Sequence, residues 1–317
     1  MKLPLLMIYW SALFFAVGAT LQAATLRVVT SFTIPADWAR EVGGGRVVVE
    51  AIVPPGADFH AYQPTPSDMR KLHAADLVIA IDPDLEAWLS KLVRSDVLRR
   101  KTLYLGQEQL FRENGGRRYT HTHPHVATAS RENSSRAAET LPDPHLWMDP
   151  LLVVDMATRL SARLTQIDPQ SSAAYAAATA RYTAALRDLD GWARRTLASV
   201  PPERRVLLAH HDNLRRLGAR YDLRCAATLL SGVSTEALDP TAGEVAKFIR
   251  LARQLKVPVF YDNTGGTTLV NTVTREAGLP PPVMLYTDAL PSTPAEFSSY
   301  LGMYRENIRR IAGALRP

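Results

Sequence analysis

The stretch DPQSSAAYAAATARYTAALRDLDGWARRTLAS, residues 168–199, has no proline after Pro169 and only one glycine, Gly191. Tyr175, Tyr182, Leu186, Leu189, Ala193 and Leu197 recur along it at spacings of three, four and seven, which lays one apolar stripe along a helix. Asp168 is placed to cap that helix, and Pro169 fits the first helical position, where no donor is needed. Roughly 30 residues at about 1.5 Å rise make a rod of about 45 Å. Such a rod is long enough to span two domains and hold them rigidly, and Gly191 is its one weak point.

On either side of the rod the sequence alternates between apolar runs and helical segments. Leu26 to Thr30, Arg46 to Val53 and the uniformly apolar Leu77 to Ile81 read as strands in the first half. Arg205 to Ala209, Cys225 to Leu230, Val257 to Tyr261 and Val283 to Thr287 repeat the pattern in the second. Helices are expected at Asn213 to Tyr221, Thr241 to Leu255, Thr267 to Ala277 and Ala295 to Leu315. Asp149-Pro150, Asp168-Pro169, Asp239-Pro240 and Thr293-Pro294 mark helix starts. The expected fold class is α/β, with two lobes, each a mostly parallel sheet flanked by helices, joined by one long rigid linker helix. The expected division is a leader over 1–23, an N-terminal lobe over 24–166, the linker helix over 167–200 and a C-terminal lobe over 201–317. The stretch 112–141 stands apart. It is rich in Arg, Asn, Ser, Thr and His without periodicity, and it reads as a mobile surface loop carrying His121, His123 and His125.

Length and composition agree with two globular units: 317 residues, 46% hydrophobic and 21% charged. The net charge is +6, but the arginines are scattered and no basic run is interleaved with aromatics, which argues against nucleic-acid binding. Lys2, the apolar run Leu3 to Val17 and the small residue closing Leu21-Gln22-Ala23 form a signal peptide, so export to the periplasm is expected. That run is too short for a transmembrane anchor. The single cysteine, Cys225, excludes an intramolecular disulfide, lies outside the leader where a lipid would attach, and is expected to pack in the core.

The histidines carry the chemistry. His60 lies in Gly56-Ala57-Asp58-Phe59-His60-Ala61-Tyr62-Gln63-Pro64-Thr65-Pro66-Ser67-Asp68, after a strand and before a helix that Thr65, Pro66 and Asp68 mark with a capping box. His145 lies in Asp143-Pro144-His145-Leu146-Trp147-Met148-Asp149-Pro150, where prolines stiffen the turn. His210-His211-Asp212, Asp262 and Asp288 each follow a strand. Open α/β sheets bind ligands at the carboxyl ends of their strands, so these residues point to one shared site in the cleft between two lobes.

These motifs resemble those of the metal-specific solute-binding proteins of ABC importers, the ZnuA/TroA-like (cluster A-I) family, over essentially the whole mature chain. The resemblance implies metal ligands at His60, His145, His211 and Asp288, two from each lobe, with Asp262 as a possible outer support. It favours His211 over His210, because the family's ligand histidine precedes a short polar or small residue that opens a helix, as His211-Asp212-Asn213 does. Arg215 and Arg216 depart from the small and aromatic residues usual after that ligand. Three imidazoles and one carboxylate complete a tetrahedral shell for Zn2+, whereas a hydrolytic zinc keeps a position open for water. A binding protein is therefore expected rather than an enzyme. Manganese is the alternative cargo; it prefers oxygen-rich sites, and the manganese branch typically has glutamate where His211 stands. A zinc-dependent hydrolase based on Asp212 or Asp262, and an adhesin-like protein, are the readings from other classes. The implied partners are an importer permease and a periplasmic zinc chaperone, with the protein itself a monomer. His121, His123 and His125 are candidates for a weak auxiliary metal site.

Overall fold

A computed structural model describes residues 25–116, 142–230 and 240–316. The expected leader, the candidate cap Asp239, and His121, His123 and His125 lie outside the described residues.

In the first half, β1 (Leu26–Thr30) leads to α1 (Thr33–Gly43), β2 (Val47–Ala51), α2 (Pro66–Ala74) and β3 (Leu77–Ala80). Then follow α3 (Ala87–Leu92), α4 (Asp96–Lys101), β4 (Thr102–Tyr104) and α5 (Gln107–Glu113). The strands form a wholly parallel sheet in the order β2-β1-β3-β4. Val28 sits between Val49 and Leu77 in register. Every residue of β3 is buried, as an apolar strand covered on both faces must be.

The chain then runs through α6 (Pro150–Ile167) and α7 (Ser172–Ala198) into the second half. There β5 (Val206–Ala209), α8 (Arg215–Tyr221), β6 (Arg224–Thr228) and α9 (Ala242–Leu255) precede β7 (Val259–Asp262), α10 (Thr267–Ala277), β8 (Val283–Leu285) and α11 (Tyr300–Leu315). The second sheet is again parallel, in the order β6-β5-β7-β8, so the two halves share one topology. Gly218 lets α8 pass tightly over the start of β6: a Cβ there would lie 2.6 Å from the Leu223 carbonyl oxygen.

The long helix α7 carries the expected stripe, and Tyr175, Tyr182, Leu186, Leu189, Ala193 and Leu197 are all buried. It packs against α6, α1 and α11, and Gly191 does not interrupt it. At 27 residues it is about 40 Å long. Asp168 opens a 3-10 turn, Pro169–Ser171, before the α-helix proper begins. Hydrogen bonds also tie the halves together directly: the Leu290 N–H donates to Thr33 Oγ1 at 2.8 Å and the Tyr300 N–H to Asp37 Oδ2 at 2.9 Å.

Several details differ from expectation. Thr102–Tyr104, unmarked in the sequence reading, is the fourth strand of the first sheet. Arg112 and Glu113 belong to α5 rather than to the loop that follows. Thr293-Pro294 does not start the last helix; a short 3-10 turn intervenes and Ser299 caps α11 at Tyr300. Strand β8 stops at Leu285, and Tyr286-Thr287-Asp288 continue as irregular backbone. Cys225 is half-buried against the core, and burial pushes its thiol up to about 12. No helix among the described residues is long and apolar enough to cross a membrane.

Candidate metal centre

His60 sits in the loop between β2 and α2, and that loop is held at both ends. The Asp58 carboxylate accepts the His60 N–H at 2.8 Å, and Thr65 and Asp68 form the expected capping box. Phe59 stacks on Phe32 with ring centroids 4.3 Å apart, and its carbonyl accepts the Trp88 Nε1–H at 2.9 Å. His145 sits in the turn before the 3-10 turn Leu146–Met148 and is fully buried. His211 and Asp288 follow β5 and β8, and both are buried. Trp147 Nε1–H donates to the Thr287 carbonyl at 2.6 Å, which fastens the His145 turn to the Asp288 loop.

The fold brings His60, His145 and His211 together: one ring nitrogen from each lies within 4.8 Å of the other two. Ring centroids are 5.4–5.6 Å apart and the planes are steeply inclined, so the imidazoles converge rather than stack. A tetrahedral zinc with bonds of about 2.0–2.1 Å holds its donors roughly 3.3 Å apart, a distance that small side-chain shifts would reach. Asp288 is outside that triad of nitrogens. Its Oδ2 receives the Asn213 Nδ2–H at 3.4 Å, and its Oδ1 is buried with no hydrogen-bond partner.

His145 is set up to present one nitrogen. Its Nδ1 lies 2.7 Å from Asp143 Oδ1, and the same oxygen accepts its backbone N–H. The Asp143 carboxylate accepts a hydrogen bond from Nδ1–H, which keeps the proton on Nδ1 and the lone pair on Nε2, and Nε2 has no hydrogen-bond partner. Burial pushes the Asp143 carboxyl up, but the His145 imidazole and the guanidinium groups of Arg215 and Arg216 outweigh it and hold it well below the usual range.

His211 is disfavoured as a cation. Burial, reinforced by the neighbouring His145, pushes its pKa down to about 3, and neither ring nitrogen has a hydrogen-bond partner. Burial also drives the Asp288 carboxyl well above its ordinary range, and the carboxylates of Asp262 and Asp58 add to that. Each orphaned buried polar atom costs on the order of 1–3 kcal/mol. A divalent cation among the three imidazoles would satisfy the orphaned His145 and His211 nitrogens together, so this donor set fits a metal ion. Phe59 and Trp147 pack against the imidazoles and form the apolar wall of the site.

His210 points elsewhere: its Nδ1 faces Asp262 Oδ2 at 3.5 Å, and the other Asp262 oxygen accepts from the Thr264 N–H and hydroxyl. Burial works against ionisation of Asp262, but the bond to His210 and the nearby His211 ring hold it well below the usual range. The hydrogen bonds by which Asp143, Asn213 and Arg216 support the site carry no signal in the sequence motifs taken singly. Asp143 stands in a quoted motif two residues before His145, which is the spacing at which an aspartate meets the N–H of the second residue on.

Comparison with known proteins places the chain in a family. Among curated proteins, the metal ABC transporter substrate-binding lipoprotein SloC of Streptococcus mutans is 26% identical over 295 residues, covering 92% of this chain and 90% of that one. The manganese ABC transporter substrate-binding lipoprotein PsaA of Streptococcus pneumoniae is 26% identical, covering 92% and 89%. The manganese-binding lipoprotein MntA of Bacillus subtilis is 27% identical, covering 92% and 90%. These relatives are lipoproteins, whereas export without a lipid anchor was the expectation for this chain. Among solved structures, the periplasmic zinc-binding protein TroA of Treponema pallidum superposes with a TM-score of 0.76 at 23% identity, covering 93% of this chain and 100% of that one. The Mn-bound periplasmic metal-binding protein of Candidatus Liberibacter asiaticus does so with a TM-score of 0.71 at 21% identity, covering 92% and 100%. Residues 28–314 match the profile described as zinc-uptake complex component A, periplasmic, and the chain belongs to that family of metal-binding transport components rather than to an enzyme family.

Proposed function

We propose that this protein captures Zn2+ through His60, His145, His211 and Asp288 in the periplasm and delivers it to the membrane permease of an ABC importer. The observation that carries this reading is the convergence of three imidazole nitrogens in a buried cleft, one of them held in a defined tautomer by Asp143. Imidazole suits zinc, and three nitrogens with one carboxylate oxygen fill its tetrahedral shell. A filled shell leaves no position for a reacting water, which favours capture over hydrolysis. Asp262 supports the site from outside through its charge beside His211, and residues 1–23 direct export. The protein works as a monomer. His121, His123 and His125 form an auxiliary site that gathers zinc weakly from solution or from a zinc chaperone.

Manganese is the second reading, and the names of PsaA and MntA favour it. Manganese is better served by six oxygen-rich ligands, which this donor set does not supply. Metal analysis of protein purified without chelators, followed by competition between Zn2+ and Mn2+, tests the choice. Zinc bound at one per chain and not displaced by excess Mn2+ is the expected result; displacement by Mn2+ would reverse the assignment.

A further inference from the structure

Arg216 lies in the first turn of the second half's helix α8, yet the hydrogen bonds of its side chain among the described residues go to residues that precede α6. Its Nε donates to the Asp143 carbonyl at 2.8 Å and its Nη2 donates to the same carbonyl. Nη1 and Nη2 grip the two oxygens of Glu113 at 2.7 and 2.6 Å, a bidentate pair. Its backbone N–H donates to Asp143 Oδ2 at 3.2 Å. The other Asp143 oxygen is the one that holds His145 Nδ1 at 2.7 Å. One residue of the second half thus fixes the carbonyl and the carboxylate of the aspartate that orients a candidate ligand, and it also fastens the end of α5. The bidentate fork suits this task, because a planar guanidinium loses little freedom per bond formed. The Arg216 side chain is largely shielded, at 14% exposure, so solvent screens these bonds less than those of a surface pair.

We infer that Arg216 is a positioning residue that latches the second half onto the Asp143–His145 pair and so sets how slowly the captured metal leaves. The inference rests on the proposed role of His145 as a ligand. Opening the cleft to release metal pulls α8 away from the His145 turn, and the latch bonds must break in that motion. On this inference, metal enters before the latch bonds form. The latch therefore acts on release and leaves association alone.

Zinc-loaded protein mixed with excess chelator reports the release rate, and mixing metal-free protein with zinc reports association. Arg216→Ala is expected to release zinc at least about tenfold faster, the scale on which the outer partners of metal ligands act, with association held within about twofold. Arg216→Lys, which keeps the charge but loses the fork, should recover part of that loss. Glu113→Gln, which leaves the Asp143 contacts in place, should speed release by a smaller factor. Release from Arg216→Ala within twofold of the parent overturns the latch. So does an equal change in both rates accompanied by a lower melting temperature of the metal-free protein, since that is the signature of a merely structural residue. Should Arg216→Ala not fold, Glu113→Gln decides, and unchanged release from it overturns the latch. A parent that holds no zinc overturns the capture reading itself, and the latch falls with it.

Discussion

Asp143 Oδ1 lies 2.7 Å from the Nδ1 of His145, and both side chains are buried. This pair does for His145 what the rest of the cleft does not do for His211: it chooses which nitrogen carries the proton. Asp143→Asn keeps the size but removes the charge and puts an amide where only an acceptor fits. Zinc affinity should fall by roughly ten- to a hundredfold, measured by competition with a chromogenic chelator. Near-ultraviolet circular dichroism of the metal-free variant should match the parent. An affinity equal to the parent's would show that His145 does not depend on Asp143 for its orientation.

The three histidines form the one group of three or more potential metal donors within reach of a single ion among the described residues. Alanine at His60, His145 or His211 should each abolish stoichiometric retention of one zinc per chain. A four-ligand zinc site is worth about 10–16 kcal/mol, and losing roughly a quarter of that weakens binding by two orders of magnitude or more. Isothermal titration of the three variants checks this, and parental affinity in all three would mean that metal binds elsewhere.

Much of this fold is legible in the sequence because its signals are local. The apolar run Leu77–Ala80 and the stripe on α7 identify a buried strand and a packed helix without reference to any other segment. Strand β4 is not legible, because three half-buried residues at a sheet edge carry too little pattern. Thr293-Pro294 misleads because a proline after a capping residue also suits a plain turn, and here Ser299 caps the helix instead. In the site, His60, His145 and His211 stand out by motif. The Arg216–Glu113 pair, 103 residues apart in sequence, exists only once the halves meet. The hold of Asn213 on Asp288, across 75 residues, is equally invisible beforehand.

Acid should act on the metal-free protein through His211. Its folded pKa is about 3, while in the unfolded chain it titrates near the ordinary value of about 6.5. Between those values the unfolded chain binds a proton that the folded protein does not, so the contribution of this group is fully present above about pH 6.5 and is lost as pH falls toward 3. Asp288, raised by burial, works in the opposite sense, so the total slope is not diagnostic. The comparison with His211→Gln is. The parent should lose up to about 1.4 kcal/mol more per pH unit than the variant in the acid part of this window, read from denaturant unfolding at several pH values. Equal slopes would mean that the folded protein protonates His211 readily. Zinc affinity should also fall on acidification, because Asp288 must give up its proton to bind. His211, already neutral, does not add to that competition.

Selectivity between zinc and manganese should depend on Asn213. Its side-chain amide donates to Thr287 Oγ1 at 2.9 Å and to Asp288 Oδ2 at 3.4 Å, which leaves Oδ1 as the oxygen free to reach a metal. A carboxylate limited to one oxygen suits four-coordinate zinc, whereas manganese gains from a second oxygen and a larger shell. In Asn213→Ala the amide is gone, Oδ2 is released, and Asp288 can turn both oxygens toward the metal. The ratio of zinc to manganese affinity should therefore drop, by about tenfold on the scale of other outer-partner losses, chiefly through stronger manganese binding. Competition titrations with both ions on parent and variant measure that ratio directly. A loss of affinity for both ions in equal proportion would show that Asn213 only holds Asp288 in place, and the one-oxygen account of selectivity would be wrong.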